Sequence, residues 1–346
     1  MAIPSIQPTP AALVENGRIH TGFFHEPFRK VNLLDAPQLG GALGRPLRWL
    51  RLKEWVGFAF EHPQFYGAMI IQDAKYAASA TVYLVDRRTA QRHEWLVVAA
   101  PGQVRLPETL WHGESRCVSG GDALLFDHDL AGGRHHVRVH LRARGQVPEL
   151  QADLVLHQDL ARVAPLVVSL PIGARHHTYT HKSPLRLAGT LRLGDATVHY
   201  DPQRDFGNLD EQKTWYPYRS RWHWGTFVGL TRGGRHLALN LANQMTPRDA
   251  PGEDALWLDG RLILMPSAEF HAVGDGGNYR IADPAGRIRL QFVADGAKRE
   301  ARNWGLAAID YAQHYGRYVG EITDDTGEVH ALDGLYGVVE RMAARF

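Results

Sequence analysis

Two carboxylates, Asp205 and Asp210, lie in a turn-rich stretch just ahead of the segment WYPYRSRWHWG, Trp215 to Gly225, and Lys213 follows Asp210 closely. A carboxyl held against indole rings loses hydration, and desolvation turns it into a group able to give a proton near neutral pH. The segment holds five aromatic rings, two arginines and a histidine. Read as a strand, with side chains alternating between two faces, it puts Trp222 and Trp224 on one side and Arg219, Arg221 and His223 on the other. If there is a reaction, Asp210 is the first choice for proton donor, with His223 orienting it or relaying the proton. Lys182 and Lys213 can hold the acid. Tyr218, Trp222, Trp224 and Trp257 can form an aromatic wall, with polar contacts from Arg219, Arg221, His223 and Asn240. The plainer alternative is that the aspartates cap turns and pair with Lys213 or Arg219.

Other chemistries find less support. The chain has no Walker-type glycine loop, no GxGxxG between strand and helix, and no GxSxG elbow, so nucleotide cofactors and a serine hydrolase are not expected. Among its 19 histidines, His136 with His140 and His177 with His181 have strand spacing that can ligate zinc. Arg138 and Arg142 make the first face cationic, and the second pair lacks an assured third ligand, so no metal site is expected. A carbohydrate-active protein would need two carboxylates across a cleft. Asp205 with Asp210, or Glu253 with Asp254, are the nearby pairs.

Strands must position these residues. In HHVRVHLRAR, Val137, Val139 and Leu141 alternate with His136, Arg138 and His140, the pattern of a half-buried strand. The same period runs through Leu185 to Leu193, His236 to Ala242 and Ala255 to Met265. Hairpin signals stand at AGG 131, RGG 232, LDG 258 and DDTG 324. Strands following one another with little helix between them predict an all-β protein with antiparallel barrels or sandwiches. The stretch DAPQLGGAL is too glycine-rich for a helix, and Lys298 to Ala308 is the best helical candidate. A proline-flanked apolar run, Pro165 to Pro171, places an expected boundary near residue 175, giving domains 1–175 and 176–346, the second carrying the site.

A formal charge of +2 without basic runs predicts neither nucleic-acid binding nor a polybasic membrane anchor. The single cysteine, Cys117, excludes an intramolecular disulfide. No segment reaches the roughly 18 apolar residues of a membrane span, and the N-terminus lacks a signal-peptide pattern. A cytoplasmic protein is the expectation, its oligomeric state open.

A family resemblance joins these motifs. THK with LAGT, Asp210, Lys213, YPYRSRWHW, LNLANQ, EDALWLDGRL, QHYGRYVGEI and GVVERMAARF resemble the bacterial family called domain of unknown function 2804. The opening stretches GFFHEPFRKVN, PLRWLRLKEWVGFAF and GAMIIQDAKYAASATVYLVD resemble it too. The chain departs from the family pattern at Thr214, where glycine is usual, and at His223, which replaces a common asparagine. The family is distantly similar to carotenoid 1,2-hydratase and AttH-like proteins, built from two lipocalin-like barrels. That resemblance implies a cofactor-independent lyase, hydratase or isomerase acting on a hydrophobic, terpenoid-like molecule. Two alternatives remain: a non-enzymatic lipid-binding protein, and a carbohydrate-active protein using its aromatic platform.

Overall fold

The computed structural model describes residues 4–39, 44–100, 102–243 and 252–345. Gln244 and Phe346 of the quoted motifs, and residues 40–43 of the Asp35 to Leu43 stretch, lie outside them. The fold is all-β. Helix among the described residues is confined to Arg45–Arg51 and a 3-10 turn at Leu33–Asp35.

The larger sheet forms a nearly closed antiparallel barrel. Its strands run in the order Arg92–Ala99, Ala78–Asp86, Phe65–Asp73, Leu52–Glu61, Phe206–Trp215, His176–Leu193, Leu150–His157, Arg134–Leu141, Asp122–Asp129, Gly113–Ser119 and Val104–Arg105. Val56, Phe58, Phe60, Phe126, Val137, Leu154, Leu187 and Leu209 are among the side chains filling its interior. The second sheet is a half-barrel of nine strands, ordered Arg261–Leu264, Ala255–Leu258, His236–Asn243, Arg219–Leu230, Val329–Arg345, Ala308–Thr323, Ile288–Asn303, Asn278–Ala282 and Glu269–Val273. Phe227, Leu239, Leu256, Phe270, Tyr318 and Val339 belong to its core.

All four hairpin signals become turns between paired strands. Asp259 and Gly260, with φ of 51° and 89°, link Ala255–Leu258 to Arg261–Leu264, the left-handed pair that a two-residue hairpin demands. The helix expected over Lys298 to Ala308 is not there. Lys298 instead pairs with Gln313, and Asn303 with Ala308, in a long hairpin. Fifteen paired residues on Ile288–Asn303 overrule a weak local helical preference.

The chain divides into two compact units, but not at a single point near 175. One comprises Gln7–Ser169 with Thr178–Trp215, and the other holds Leu170–His177 and Tyr216–Phe346 with a few residues ending at Ile6. The cause is the strand His176–Leu193, which pairs from Arg186 to Leu193 with Leu150–His157 and so closes the first barrel. Lys182, Asp210 and Lys213 accordingly belong to the first unit; the other site candidates belong to the second.

Candidate functional site

Strand parity decides which way each candidate faces. On Phe206–Trp215, Leu209 points into the barrel core, so Glu211 and Lys213 share that face, while Asp210 lies on the opposite one. There Lys182 and Trp55 stand beside it on the two flanking strands. Lys182 Nζ donates to Asp210 Oδ1, and the indole Nε1 of Trp55 donates to Oδ2 at 3.1 Å. Lys182 is 95% shielded along its side chain, whereas Asp210 keeps 22% of its own exposed. Below this pair the same face carries a buried network: Thr178 and Thr214 hydroxyls meet at 2.7 Å, and Gln212 donates to Thr214 at 2.9 Å. Glycine at 214 would supply no such hydroxyl.

Lys213 serves another role than holding Asp210. It donates to Glu54 Oε1 at 2.9 Å and to the Pro107 carbonyl at 2.7 Å, and Lys75 also donates to Glu54. Burial pushes the Glu54 carboxyl up, but Lys213 and Lys75 outweigh it and hold the group below the usual carboxylate range. Asp205 is engaged as well. Its oxygens accept from Arg204, and its Oδ2 accepts the Asp201 N–H at 2.8 Å, closing the loop ahead of the strand.

Inside the barrel lies a feature that the sequence did not announce. Ser115, His128, His135, Gln158, His181 and Glu211 form one continuous hydrogen-bonded chain, each at most 4% exposed. The successive separations are 2.8, 3.0, 2.8, 2.8 and 3.3 Å. Burial is the first cause that pushes His135 down to about 4 and His128 well below its ordinary value, so both rings are neutral and each has one N–H. With the Gln158 oxygen toward His135, the donors then run one way: Ser115 to His128, His128 to His135, His135 to Gln158, Gln158 to His181, and His181 Nδ1 to Glu211. The far oxygen of Glu211, Oε1, and the Tyr179 hydroxyl are buried without a partner among the described residues. Burial, and then the Glu211 charge, push the Tyr179 hydroxyl well above its ordinary value. The spacing signal was visible only in part, since His135 and Gln158 sit on the core faces of alternating strands that otherwise carry Val137, Val139, Leu154 and Leu156.

One pH effect follows with a definite sign. An unfolded histidine titrates near 6.5, and folded His135 near 4. Between those values the unfolded chain binds the extra proton, so this contribution is intact above pH 6.5 and is lost as pH falls toward 4. Replacing His135 by Asn is expected to reduce the stability lost between pH 7 and pH 5 by about 2 kcal/mol, as read from urea midpoints at the two pH values. Unchanged pH dependence would mean that the ring is hydrated.

In the second unit, Phe227 faces the core, so His223 faces it too, and Trp222 and Trp224 lie on the opposite face. The His223 ring stacks on Phe270 at 5.6 Å and 12°, and burial lowers its basicity. It is therefore aromatic packing of the half-barrel, and the partner that Asp210 holds is Lys182. Three of the aromatic candidates, Trp222, Trp224 and Trp257, lie on the face away from the core. Trp222 stacks on Tyr216 and donates to Glu340 at 2.8 Å; Trp224 donates to Asn240 at 2.7 Å; Trp257, 2% exposed, lies on the same face. Tyr218 is 42% exposed and donates to the Leu306 carbonyl. Arg219 and Arg221 are exposed.

Of the histidine pairs, His136 meets Asp153 at 2.7 Å and His140 lies 3.4 Å from Glu149, both at the surface. His177 is buried and pushed down to about 4. One trio of described residues, Asp324, Glu328 and His330, offers ligand atoms within 4.8 Å of one another. Asp324 Oδ1 there accepts from the Thr326 and Glu328 N–H groups and the Thr326 hydroxyl, and His330 lies 3.0 Å from Oδ2. These bonds close the Thr323–Val329 turn. No described helix is long and apolar enough to cross a membrane.

The architecture is all-β, a nearly closed barrel sheet and a half-barrel sheet, consistent with two barrel domains, and both sheets carry buried polar groups opposite their apolar cores. The chain belongs to the family named domain of unknown function (DUF2804), whose model matches residues 6–346. Its fold is similar to that of kievitone hydratase from Nectria haematococca, at 12% identity and a TM-score of 0.54 over 84% of this chain and 88% of that one. It is similar also to CghA, at 13% identity and a TM-score of 0.53 over 99% and 97%. The crystal structure of CghA with Sch210972 matches at 12% identity and a TM-score of 0.53 over 85% and 88%. No curated protein matches the sequence.

Proposed function

We propose that this protein is a cofactor-independent lyase or isomerase of hydratase type, acting on a hydrophobic, terpenoid-like small molecule by proton transfer at Asp210. The observation that carries this reading is the Lys182–Asp210–Trp55 group: a partly exposed carboxylate bonded to a shielded ammonium and an indole N–H, on a face that the barrel core does not need. Both donors already point at Asp210, so the carboxylate acts first as acceptor, taking a proton from substrate or water and returning it at another atom. Lys182 keeps that carboxylate in place throughout. The fold shared with a hydratase supports the reaction class by analogy.

Native purification followed by mass spectrometry identifies the retained small molecule, and its turnover or deuterium uptake in heavy water gives the assay. Asp210→Asn keeps the side-chain size, and is expected to bind that molecule within a few-fold of wild type while losing about 100-fold or more in rate. Normal turnover by the variant would make Asp210 a structural residue. A wild-type protein that binds the molecule but never converts or exchanges it would instead be a binding protein.

A further inference from the structure

The helix Arg45–Arg51, sequence RPLRWLR, is amphipathic in the inverted sense. At 100° per residue, Trp49, Pro46, Leu50 and Leu47 occupy one half of its circumference, and Arg45, Arg48 and Arg51 the other. In a helix that packs on a core, the apolar half turns inward. Here Arg48 and Arg51 are the more covered, both only partly exposed, with Arg48 donating to the Ala36 carbonyl at 3.3 Å, while Arg45 donates to Asp35 at 2.9 Å and stays exposed. The apolar half faces water, with Leu47 at 52%, Trp49 at 42% and Leu50 at 41% exposed, and no helix residue is buried. Tyr76, 51% exposed, extends the patch through Lys53, whose ammonium lies 4.7 Å from the Tyr76 ring and donates to the Leu50 carbonyl.

From this geometry we infer that the helix Arg45–Arg51 with Tyr76 is a docking surface for an anionic lipid bilayer. Four apolar side chains, two of them aromatic, stand outward where they can enter the headgroup boundary: Leu47, Trp49, Leu50 and Tyr76. The cations Arg45 and Arg51 rim them, and long basic side chains reach back to lipid phosphates while their stems stay apolar. Asp35 pairs with Arg45, and the helix itself carries three arginines and no acid. Trp, Tyr and Leu at the interface with Arg around them is a composition that favours a negatively charged membrane surface over a neutral one. The contact is peripheral. It requires no membrane span and is independent of the reaction proposed for Asp210.

Flotation of the full-length protein with phosphatidylcholine vesicles, with and without phosphatidylglycerol, tests the inference. Wild type is expected to float with the anionic vesicles, and to bind about tenfold or more weakly to neutral vesicles or in high salt. The variant Leu47→Ser, Trp49→Ser, Leu50→Ser changes exposed positions alone, and should keep the wild-type circular dichroism and thermal midpoint while losing flotation. Arg45→Ala with Arg51→Ala should weaken anionic binding without affecting the weaker neutral binding. Failure of wild type to float, or equal flotation of wild type and the serine variant, overturns the proposal. So does a dimer seen by light scattering that the serine variant dissociates, because a second copy would then cover the face.

Discussion

Replacing His181 by alanine is expected to destabilise the first barrel by about 3–5 kcal/mol, as a sum of lost packing and two stranded polar groups. The ring sits between Gln158 Nε2 at 2.8 Å and Glu211 Oε2 at 3.3 Å, with no exposure to solvent. Its removal leaves the Gln158 amide and the second Glu211 oxygen without partners in a space where Glu211 Oε1 already lacks one. Cutting one member of a buried, hydrogen-bonded set costs more than removing the set, because the survivors keep their desolvation penalty. The double variant His181→Leu, Glu211→Leu should therefore be more stable than His181→Ala alone, although it changes more atoms. Urea unfolding at neutral pH measures both, and an unchanged slope with a shifted midpoint identifies a stability effect. A loss near zero for His181→Ala would show that water takes the place of the ring, and that the chain from Ser115 to Glu211 is a hydrated channel.

What the sequence revealed and what it concealed both trace to strand parity. Val137, Val139 and Leu141 alternate with His136, Arg138 and His140, and since the second face meets water, hydrophobicity alone identified strand and orientation. The four turns were legible because Gly, Asp and Thr at those positions have local reasons to bend the chain. Around the site that logic fails. From His177 to Leu185 every residue is buried, and so are Glu211 to Trp215, so both faces of each strand are covered and polarity no longer separates inside from outside. Asp210 and Glu211 are neighbours with opposite orientations, and only the pairing of Leu209 with Phe58 shows which of them enters the barrel. Trp222 and Trp224 were recognised as one face of a strand, but aromatic residues suit a core as well as a ligand wall, and their position opposite Phe227 is set by the neighbouring strands. The Ser115–Glu211 chain draws on six separate segments, so no local spacing could display it. The division of the chain was hidden for a similar reason, since an 18-residue strand starts at His176, just past the region that prolines had marked as a junction, and returns the chain to the first barrel.

Truncation of Trp222 to alanine is expected to cost about 3–5 kcal/mol, the range for a large aromatic removed from a packed site. The indole is 6% exposed and lies over Tyr216 at 5.5 Å with an interplanar angle of 16°. Its N–H donates to Glu340 Oε1 at 2.8 Å, while Gln313 donates to the other oxygen at 3.0 Å. Two terms therefore act together: the lost aromatic surface and a carboxylate deprived of one donor. Trp222→Phe separates them, because it keeps most of the ring area and removes the donor, and it should cost about 2 kcal/mol, the usual weight of a hydrogen bond to a charged group. Trp224, only partly buried and bonded to the neutral oxygen of Asn240, should lose less than Trp222 on the same truncation. Thermal or urea unfolding of the three variants gives the comparison. Equal losses at 222 and 224 would mean that the two rings share one environment, and a Trp222→Phe variant as unstable as Trp222→Ala would place nearly the whole contribution in the bond to Glu340.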